Sequence, residues 1–207
     1  MKLRREPSSR GRADAPVAAE CERSRSVRAI RAAFAEFGVE PAGLGDIAAA
    51  RRFALGLIGG QMASTETIAR VHEGTGAGLF LVRDGAAIRG LLAFIMLNRA
   101  GAEAAVCDDF DSLTPRPEYI CPADQEPAAI YSWAIAAADK DAATRLIRGH
   151  ERLRHVAVAH LPFYCRLATE EGRRLAIVRM GFKPLPGSDS GLFWSEPKAD
   201  SLVEVAA

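Results

Sequence analysis

The sequence has no closely spaced cysteines and no long hydrophobic run. Its four cysteines, Cys21, Cys107, Cys121 and Cys165, are far apart. This spacing argues against a zinc knuckle or a disulfide framework and favours a reducing compartment. The longest apolar run, Leu91 to Leu97, is far shorter than the roughly 20 residues of a membrane helix. No apolar segment follows the Arg-rich N-terminus, so we expect no secretory signal and a cytoplasmic protein.

An excess of charge of one sign is also missing, because 27 Lys and Arg residues balance 26 Asp and Glu residues. Such a chain offers no bulk electrostatic attraction for nucleic acid or for an acidic membrane, and we expect neither as a partner. Residues 1–25, rich in Arg, Ser, Pro and Ala, predict a disordered tail, with a basic nucleic-acid-binding arm as the alternative. Residues 26–207 predict a single domain.

The N-terminal part of this domain has the apolar spacing of helices. Apolar residues from Val27 to Phe37 recur at helical intervals, and Gly38 ends the run. A second helix is predicted over Asp46–Ile58. A third is predicted over Thr65–His72, with Thr65 as its N-cap.

From Leu79 the apolar pattern changes to that of strands. The runs Leu79–Val82 and Ile88–Leu97 flank Asp84-Gly85, a pair that is typical of a tight turn, and together they predict a β-hairpin. The polar segment that follows predicts a short strand near Ala104–Cys107 and then a long loop. A loop of this length in a compact domain is usually functional or mobile.

The C-terminal half predicts alternating strands and helices. The predicted order is a strand (Ala128–Ala137), a helix (Ala142–Leu153), a strand (Val156–His160), a helix (Glu170–Met180) and two short strands around Lys183 and Phe193. The last helix has clear end signals, because Thr169 is a suitable N-cap and Gly181 a suitable left-handed C′ residue. Phe182 would then pack against Ile177.

This order resembles the GNAT superfamily of acyl-CoA-dependent N-acyltransferases. Three stretches carry the resemblance: "LFLVRDGAAIRGLLAF" is similar to the family's second and third strands, "AAIYSWAIAAADKDAATRLI" to its fourth strand and cofactor helix, and "TEEGRRLAIVRMGF" to its last helix. The resemblance implies an α/β fold with a mixed, largely antiparallel central sheet flanked by helices. It also implies acyl transfer to an amine from acetyl-CoA, another acyl-CoA or an acyl-carrier protein, without a metal.

The sequence departs from the family at the phosphate-binding turn. The family pattern is roughly Gln/Arg-x-x-Gly-x-Gly/Ala, whereas the matching positions here are Ala138, Asp141 and Ala143, and only the last fits. Asp139 and Asp141 would repel a phosphate; alternatively, one of them is simply the N-cap of the following helix. The tyrosine that often protonates the departing thiolate is replaced by Ile177. A non-catalytic ligand-binding or regulatory module on a degenerate GNAT fold is therefore the alternative to an acyltransferase.

The resemblance implies cofactor contacts along the strand before this turn and at the start of the helix after it. The expected contacts are Ser132, Trp133, Ala134, Ile135, Lys140, Ala142, Ala143 and Thr144. For Trp133, a place in the hydrophobic core is the alternative to the wall of an acyl pocket. A V-shaped gap between the strand ending at Ala137 and the strand starting at Val156 would admit a pantetheine arm.

Candidate acid–base residues follow that second strand. We expect His160 as a base for the amine and Tyr164 as an acid for the sulfur, with purely structural roles as the alternative. His150 and His155 are predicted to face solvent. Cys165 is predicted to be an inert buried thiol.

The expected acceptor is a small-molecule amine, and a homodimer is left open. The acidic residues Asp108, Asp109 and Glu126 predict a solvated loop without metal-ligand spacing. The alternative is that these three carboxylates line a site for a cationic amine.

Overall fold

The computed structural model describes residues 24–189 and 191–197. The predicted tail, residues 1–25, lies outside the described residues except for its last two positions. The second of these two, Arg25, begins the first helix, α1, which runs over Arg25–Ala35. Ser24 is its N-cap, and the Ser24 hydroxyl accepts a hydrogen bond from a backbone N–H of the first turn at 3.2 Å.

Five further helices and seven strands are present in the described part of the chain. The helices are α2 (Ile47–Ile58), α3 (Thr65–Thr75), α4 (Arg99–Val106), α5 (Lys140–Arg152) and α6 (Glu170–Arg174). The strands are β1 (Glu40–Pro41), β2 (Leu79–Asp84), β3 (Ala87–Leu97), β4 (Ala129–Ala137), β5 (Phe163–Arg166), β6 (Lys183–Pro184) and β7 (Leu192–Ser195). Short 3-10 turns cover Leu44–Asp46 and Pro117–Tyr119, and α5 and α6 continue as π-helical turns over Leu153–Ala157 and Leu175–Arg179.

The strands form one sheet in the order β1-β2-β3-β4-β5-β7-β6. Each neighbouring pair is antiparallel except β4 and β5, which are parallel. The predicted hairpin is confirmed as β2 and β3, and Gly85 in its turn has a φ of 56°, which favours glycine. The predicted α/β fold, with a mixed and largely antiparallel sheet flanked by helices, is therefore confirmed.

Both faces of the sheet are covered by helices and are apolar. On one face, α1 and α5 pack against side chains that include Phe80, Phe94 and Phe163. Gly149 of α5 is required there, because a Cβ at this position would lie 2.5 Å from the buried ring of Phe34. On the other face, α2, α3 and α4 cover two smaller clusters of buried side chains.

The predicted strand near Ala104–Cys107 is wrong, since the segment is helix α4. The Asn98 side chain caps this helix by accepting a hydrogen bond from the N–H of Gly101 at 2.9 Å. Four alanines in the eight residues of α4 also favour a helix. The predicted N-cap of α3 is wrong by one position, because Ser64 rather than Thr65 accepts the hydrogen bond from Thr67 N–H.

The strand predicted over Val156–His160 is also wrong. The chain there continues α5 as a π-helical turn, with Val158 N–H donating to the Leu153 carbonyl at 3.0 Å. Leu153 and Val158 are fully buried, so the core residues of this segment are five positions apart rather than alternating as in a strand. The strand that follows is β5, three residues beyond the predicted end.

The end signals of the last helix are confirmed. The Thr169 hydroxyl accepts from Gly172 N–H at 3.0 Å, and Gly181 has a φ of 66°. Phe182 N–H donates to the Ala176 carbonyl, and the Phe182 side chain is buried in the core. Ile177, the expected packing partner of Phe182, is instead 38% exposed.

Candidate functional site

A gap opens in the middle of the sheet between β4 and β5. The two strands pair only at Ile130–Phe163 and Tyr131–Tyr164. Beyond Tyr131, β4 continues to Ala137 paired with β3 alone, and the rest of β5 pairs with β7 alone. The structure therefore contains a V-shaped gap of the kind expected, although its second wall is β5 and not a strand starting at Val156.

A β-bulge lies in the wall of this gap that β4 forms. Ala93 is opposite Ala134 and Phe94 is opposite Ser132, so Trp133 is an extra residue without a partner on β3. A bulge changes which face of the sheet the following side chains point to. Ser132 accordingly lies on the α5 side, whereas Trp133 and Ala134 both pack against residues on the α2 side.

Two cavities flank the gap, one on each face of the sheet. The α2-side cavity, of about 240 Å³, lies against α2, and the α5-side cavity, of about 110 Å³, lies between the sheet and helices α5 and α6. The two cavities share six lining residues: Ile58, Trp133, Ala134, Arg166, Leu167 and Ala168. Trp133 is partly buried against core residues and also forms a wall of each cavity. Its contact with an acyl group stays a prediction.

The α5-side cavity contains polar atoms that have no hydrogen-bond partner. These are the Ser132 hydroxyl oxygen and both ring nitrogens of His150. Buried polar atoms of this kind are rare in folded proteins and often mark the place of a bound group. Cys165 lines the same cavity, but burial raises the pKa of its thiol to about 12, so it is a neutral thiol and not a nucleophile, in agreement with the prediction.

The prediction that His150 faces solvent is wrong. Its side chain is 2% exposed and lies near the rings of Phe94, Phe163 and Phe182, with centroid distances of 5.6 to 6.3 Å. Burial is the main cause that lowers its pKa to about 3, followed by the charges of Arg154 and His155, so His150 is a neutral imidazole. His155 is exposed, as predicted.

The turn before α5 is closed by its own carboxylate. Asp139 is the N-cap, with Oδ1 accepting from Ala142 N–H at 2.8 Å, and its Oδ2 pairs with Arg89 at 2.7 Å. These two contacts hold the pKa of Asp139 below its usual value. The alternative that an aspartate caps this helix is therefore confirmed. The N–H of Ala142, which a diphosphate would need, is already bonded.

The predicted cofactor contacts fall into two groups. Ser132, Trp133, Ala134 and Ile135 line the α5-side cavity. The other four, Lys140, Ala142, Ala143 and Thr144, form the first turns of α5, where Thr144 donates to the Lys140 carbonyl. The role of each as a cofactor contact stays a prediction.

The expected acid–base pair is not next to the cavities. His160 is exposed and lies in the turn before β5. Tyr164 is 6% exposed and packs into the core on the α2 and α4 side of the sheet. Neither residue lines the two flanking cavities, although Tyr164 forms the last pair of β4 and β5 before the gap opens. Their roles in proton transfer stay a prediction.

Of the three acidic residues, Asp108 and Asp109 line one polar cavity, and Glu126 does not. Asp108 accepts a hydrogen bond from Ser188 at 3.1 Å, and Asp109 accepts one from Tyr119 at 2.9 Å. The Glu126 carboxylate instead accepts from the backbone N–H of Ser26 at the start of α1. The structure therefore does not bring all three carboxylates together.

In residues 24–189 and 191–197, no three His, Cys, Asp or Glu side chains are grouped so that they would hold a metal ion. No helix in the same ranges has the length and apolar character to cross a bilayer.

No family model matches the sequence, and no curated protein matches it. A similar solved structure is described as histone acetyltransferase HPA2 and related acetyltransferase from Corynebacterium glutamicum. It is 13% identical, with a TM-score of 0.45, and the similarity covers 77% of this chain and 96% of that chain.

Proposed function

We propose that this protein transfers an acyl group from a pantetheine thioester to an amine. The observation that supports this most directly is the gap between β4 and β5, with a cavity on each face. A pantetheine arm is long, thin and carries two amides, so it suits an unpaired strand edge, which binds extended chains through backbone hydrogen bonds. Residues 132–137 of β4 form such an edge, because they have a strand partner on the β3 side only.

The proposed reaction takes place at the bulge. The amine nitrogen attacks the thioester carbonyl, the new C–N bond forms as the C–S bond breaks, and the thiolate takes up the proton that the nitrogen loses. A bulged residue lies outside the regular ladder, so the backbone at Trp133 is the proposed donor for the oxygen that becomes negative. His160 and Tyr164 remain candidates for proton transfer, although neither lines the two cavities.

The two aspartates at the start of α5 affect which thioester donor, CoA or an acyl-carrier protein, the protein would use. Asp139 already occupies the Ala142 N–H, and the Asp141 carboxylate is 83% exposed beside it. This arrangement favours weak binding of the diphosphate of CoA. An acyl-carrier protein does not need a diphosphate-binding site, since it binds through its own protein surface. Both donors deliver the same pantetheine thioester, and the experiment separates them.

A thiol-release assay tests the proposal. Acetyl-, octanoyl- and palmitoyl-CoA, and the same acyl groups on an acyl-carrier protein, are incubated with a panel of primary amines. The proposal predicts release of thiol that depends on both donor and amine, with the acylated amine confirmed by mass spectrometry. Absence of release with every donor, together with no thermal shift on adding CoA or acyl-CoA, would overturn it.

A second candidate function is a non-catalytic module that binds a pantetheine or similar ligand. The capped turn before α5 and the replacement of a tyrosine by the 38% exposed Ile177 support this alternative. It predicts that acyl-CoA stabilises the fold without any turnover. Detection of acylated amine at a rate proportional to enzyme concentration would exclude it.

The aspartates of the turn give a first prediction. Asp141→Gly removes an exposed negative charge and a Cβ beside the diphosphate, so CoA should bind more tightly by about 1 kcal/mol. Asp139→Asn keeps an oxygen for the N-cap while removing the other charge, and it should change stability little, since the pair with Arg89 is at the surface. Calorimetric titration of CoA and thermal melts measure both effects. If CoA binding is undetectable in both variants, the turn does not hold the diphosphate.

A further inference from the structure

The α2-side cavity exists because small side chains meet in it. Ala50 and Ala54, one turn apart on α2, are each 1% exposed, and they face Ala93 of β3 and Ala134 of β4. Ile47, Ile58, Met62, Ile68, Leu79 and Leu91 are among the other lining side chains, whereas Arg51, Gln61, Ser112 and Arg166 are its polar ones. A group bound there would therefore contact mainly hydrocarbon.

The cavity is large for the site of a two-carbon acyl group. An engineered apolar cavity of about 150 Å³ is sufficient to bind benzene, and this one measures about 240 Å³. Its volume and its lining therefore point to an apolar occupant longer than an acetyl group.

Two charged residues line the cavity, and both are engaged with other groups. The Arg51 guanidinium donates to the carbonyl oxygens of Ala63 and Met62 at 2.7 and 3.4 Å. Arg166, which lines both cavities, donates to the Phe110 carbonyl at 3.1 Å and lies 3.6 Å from the Asp108 carboxylate. Most of the other lining side chains are apolar.

The cavity opens toward the gap through the residues that it shares with the α5-side cavity. A thioester at the bulge would have its pantetheine arm along β4 and its acyl group next to Trp133 and Ala134. From there, an acyl chain that extends away from the pantetheine arm would enter the α2-side cavity. We propose that the acyl group of the donor is an unbranched apolar chain of medium length, roughly six to ten carbons, held in this cavity. This inference rests on the proposed acyl transfer.

The test is the dependence of binding on acyl length. Calorimetric titration with CoA, acetyl-CoA and octanoyl-CoA should show octanoyl-CoA binding at least about tenfold more tightly than acetyl-CoA, because its chain is removed from water. In Ala54→Leu, whose larger side chain fills the cavity, octanoyl-CoA should bind no more tightly than acetyl-CoA. Ala48→Leu is the matched control, because Ala48 is exposed on the same helix and the length preference should remain.

Ala50→Val provides a second, smaller filling of the cavity if Ala54→Leu does not fold, as judged by circular dichroism. The inference is overturned if acetyl-CoA and octanoyl-CoA bind equally well to the unchanged protein, or if filling the cavity leaves the preference intact. Either outcome is compatible with acyl transfer in the thiol-release assay. Conversely, a length preference that Ala54→Leu abolishes, without acylated amine from any donor, supports the chain site and removes only the proposed catalysis.

Discussion

Ala134→Phe should reduce acyl transfer by about 100-fold or more, because a misplacement of about 1 Å at a reacting centre is sufficient for such a loss. Ala134 lines both cavities at the place where β4 and β5 separate. A phenyl ring there would fill the passage between the cavities and displace the thioester from the bulge. The rate with each donor, measured as kcat/KM in the thiol-release assay, checks the prediction.

The matched control for this change is Ala87→Phe. Ala87 is the first residue of β3 and is exposed near the hairpin turn, so the same increase in size should leave kcat/KM within about twofold, as surface changes away from a site normally do. Thermal melts of both variants separate loss of the passage from loss of the fold. Retention of full activity by a folded Ala134→Phe protein would contradict the proposed path of the donor.

Acidification should destabilise the protein through His150. Its pKa is about 3 in the fold, against a usual value of 6.5. In the unfolded chain His150 takes up a proton below pH 6.5, while in the folded protein it stays neutral until about pH 3. The stability is therefore complete above pH 6.5 and falls as the pH decreases, by about 2 kcal/mol between pH 7.5 and pH 5.

His150→Phe should remove this part of the pH dependence. The new ring would join Phe94, Phe163 and Phe182 without burying two nitrogens that lack partners. Urea unfolding at pH 7.5 and pH 5 measures the difference for the unchanged protein and for the variant. Some dependence will remain, because burial also lowers the pKa of His72. His160→Gln, which changes an exposed histidine, should leave the full decrease; an equal decrease in His150→Phe would contradict the assignment.

Local signals explain what the sequence predicted well. The hairpin followed from Asp84-Gly85, and the end of the last helix followed from Thr169 and Gly181, because turns and caps depend on a few adjacent residues. The start of β5 was missed because the period of an apolar pattern does not separate a π-helical turn from a short strand. Helix α4 was missed because four turn-favouring prolines later in the loop outweighed its alanines.

The site was predictable only in part. The expected contacts on β4 came from the family resemblance of the sequence, whereas the gap beside β4 depends on strand pairing, which only the fold shows. The burial of His150 was not apparent, although Leu146, Gly149 and His150 all lie on the buried face of α5. A histidine beside arginines in a polar helix is typical of a surface. Only the fold shows that its ring meets three phenylalanines.

The two outer strands of the sheet limit aggregation of the protein with other molecules through strand pairing. β1 and β6 are each two residues long, and each ends in a proline, Pro41 or Pro184. Proline has no N–H to donate, and short edges with charged residues resist the addition of strands from other molecules. The long apolar strands β3 and β4 are thus shielded from intermolecular β-aggregation. The unpaired edge of β4 lies inside the sheet, in the gap beside β5. A thin ligand can enter this gap, whereas a whole strand from another chain cannot.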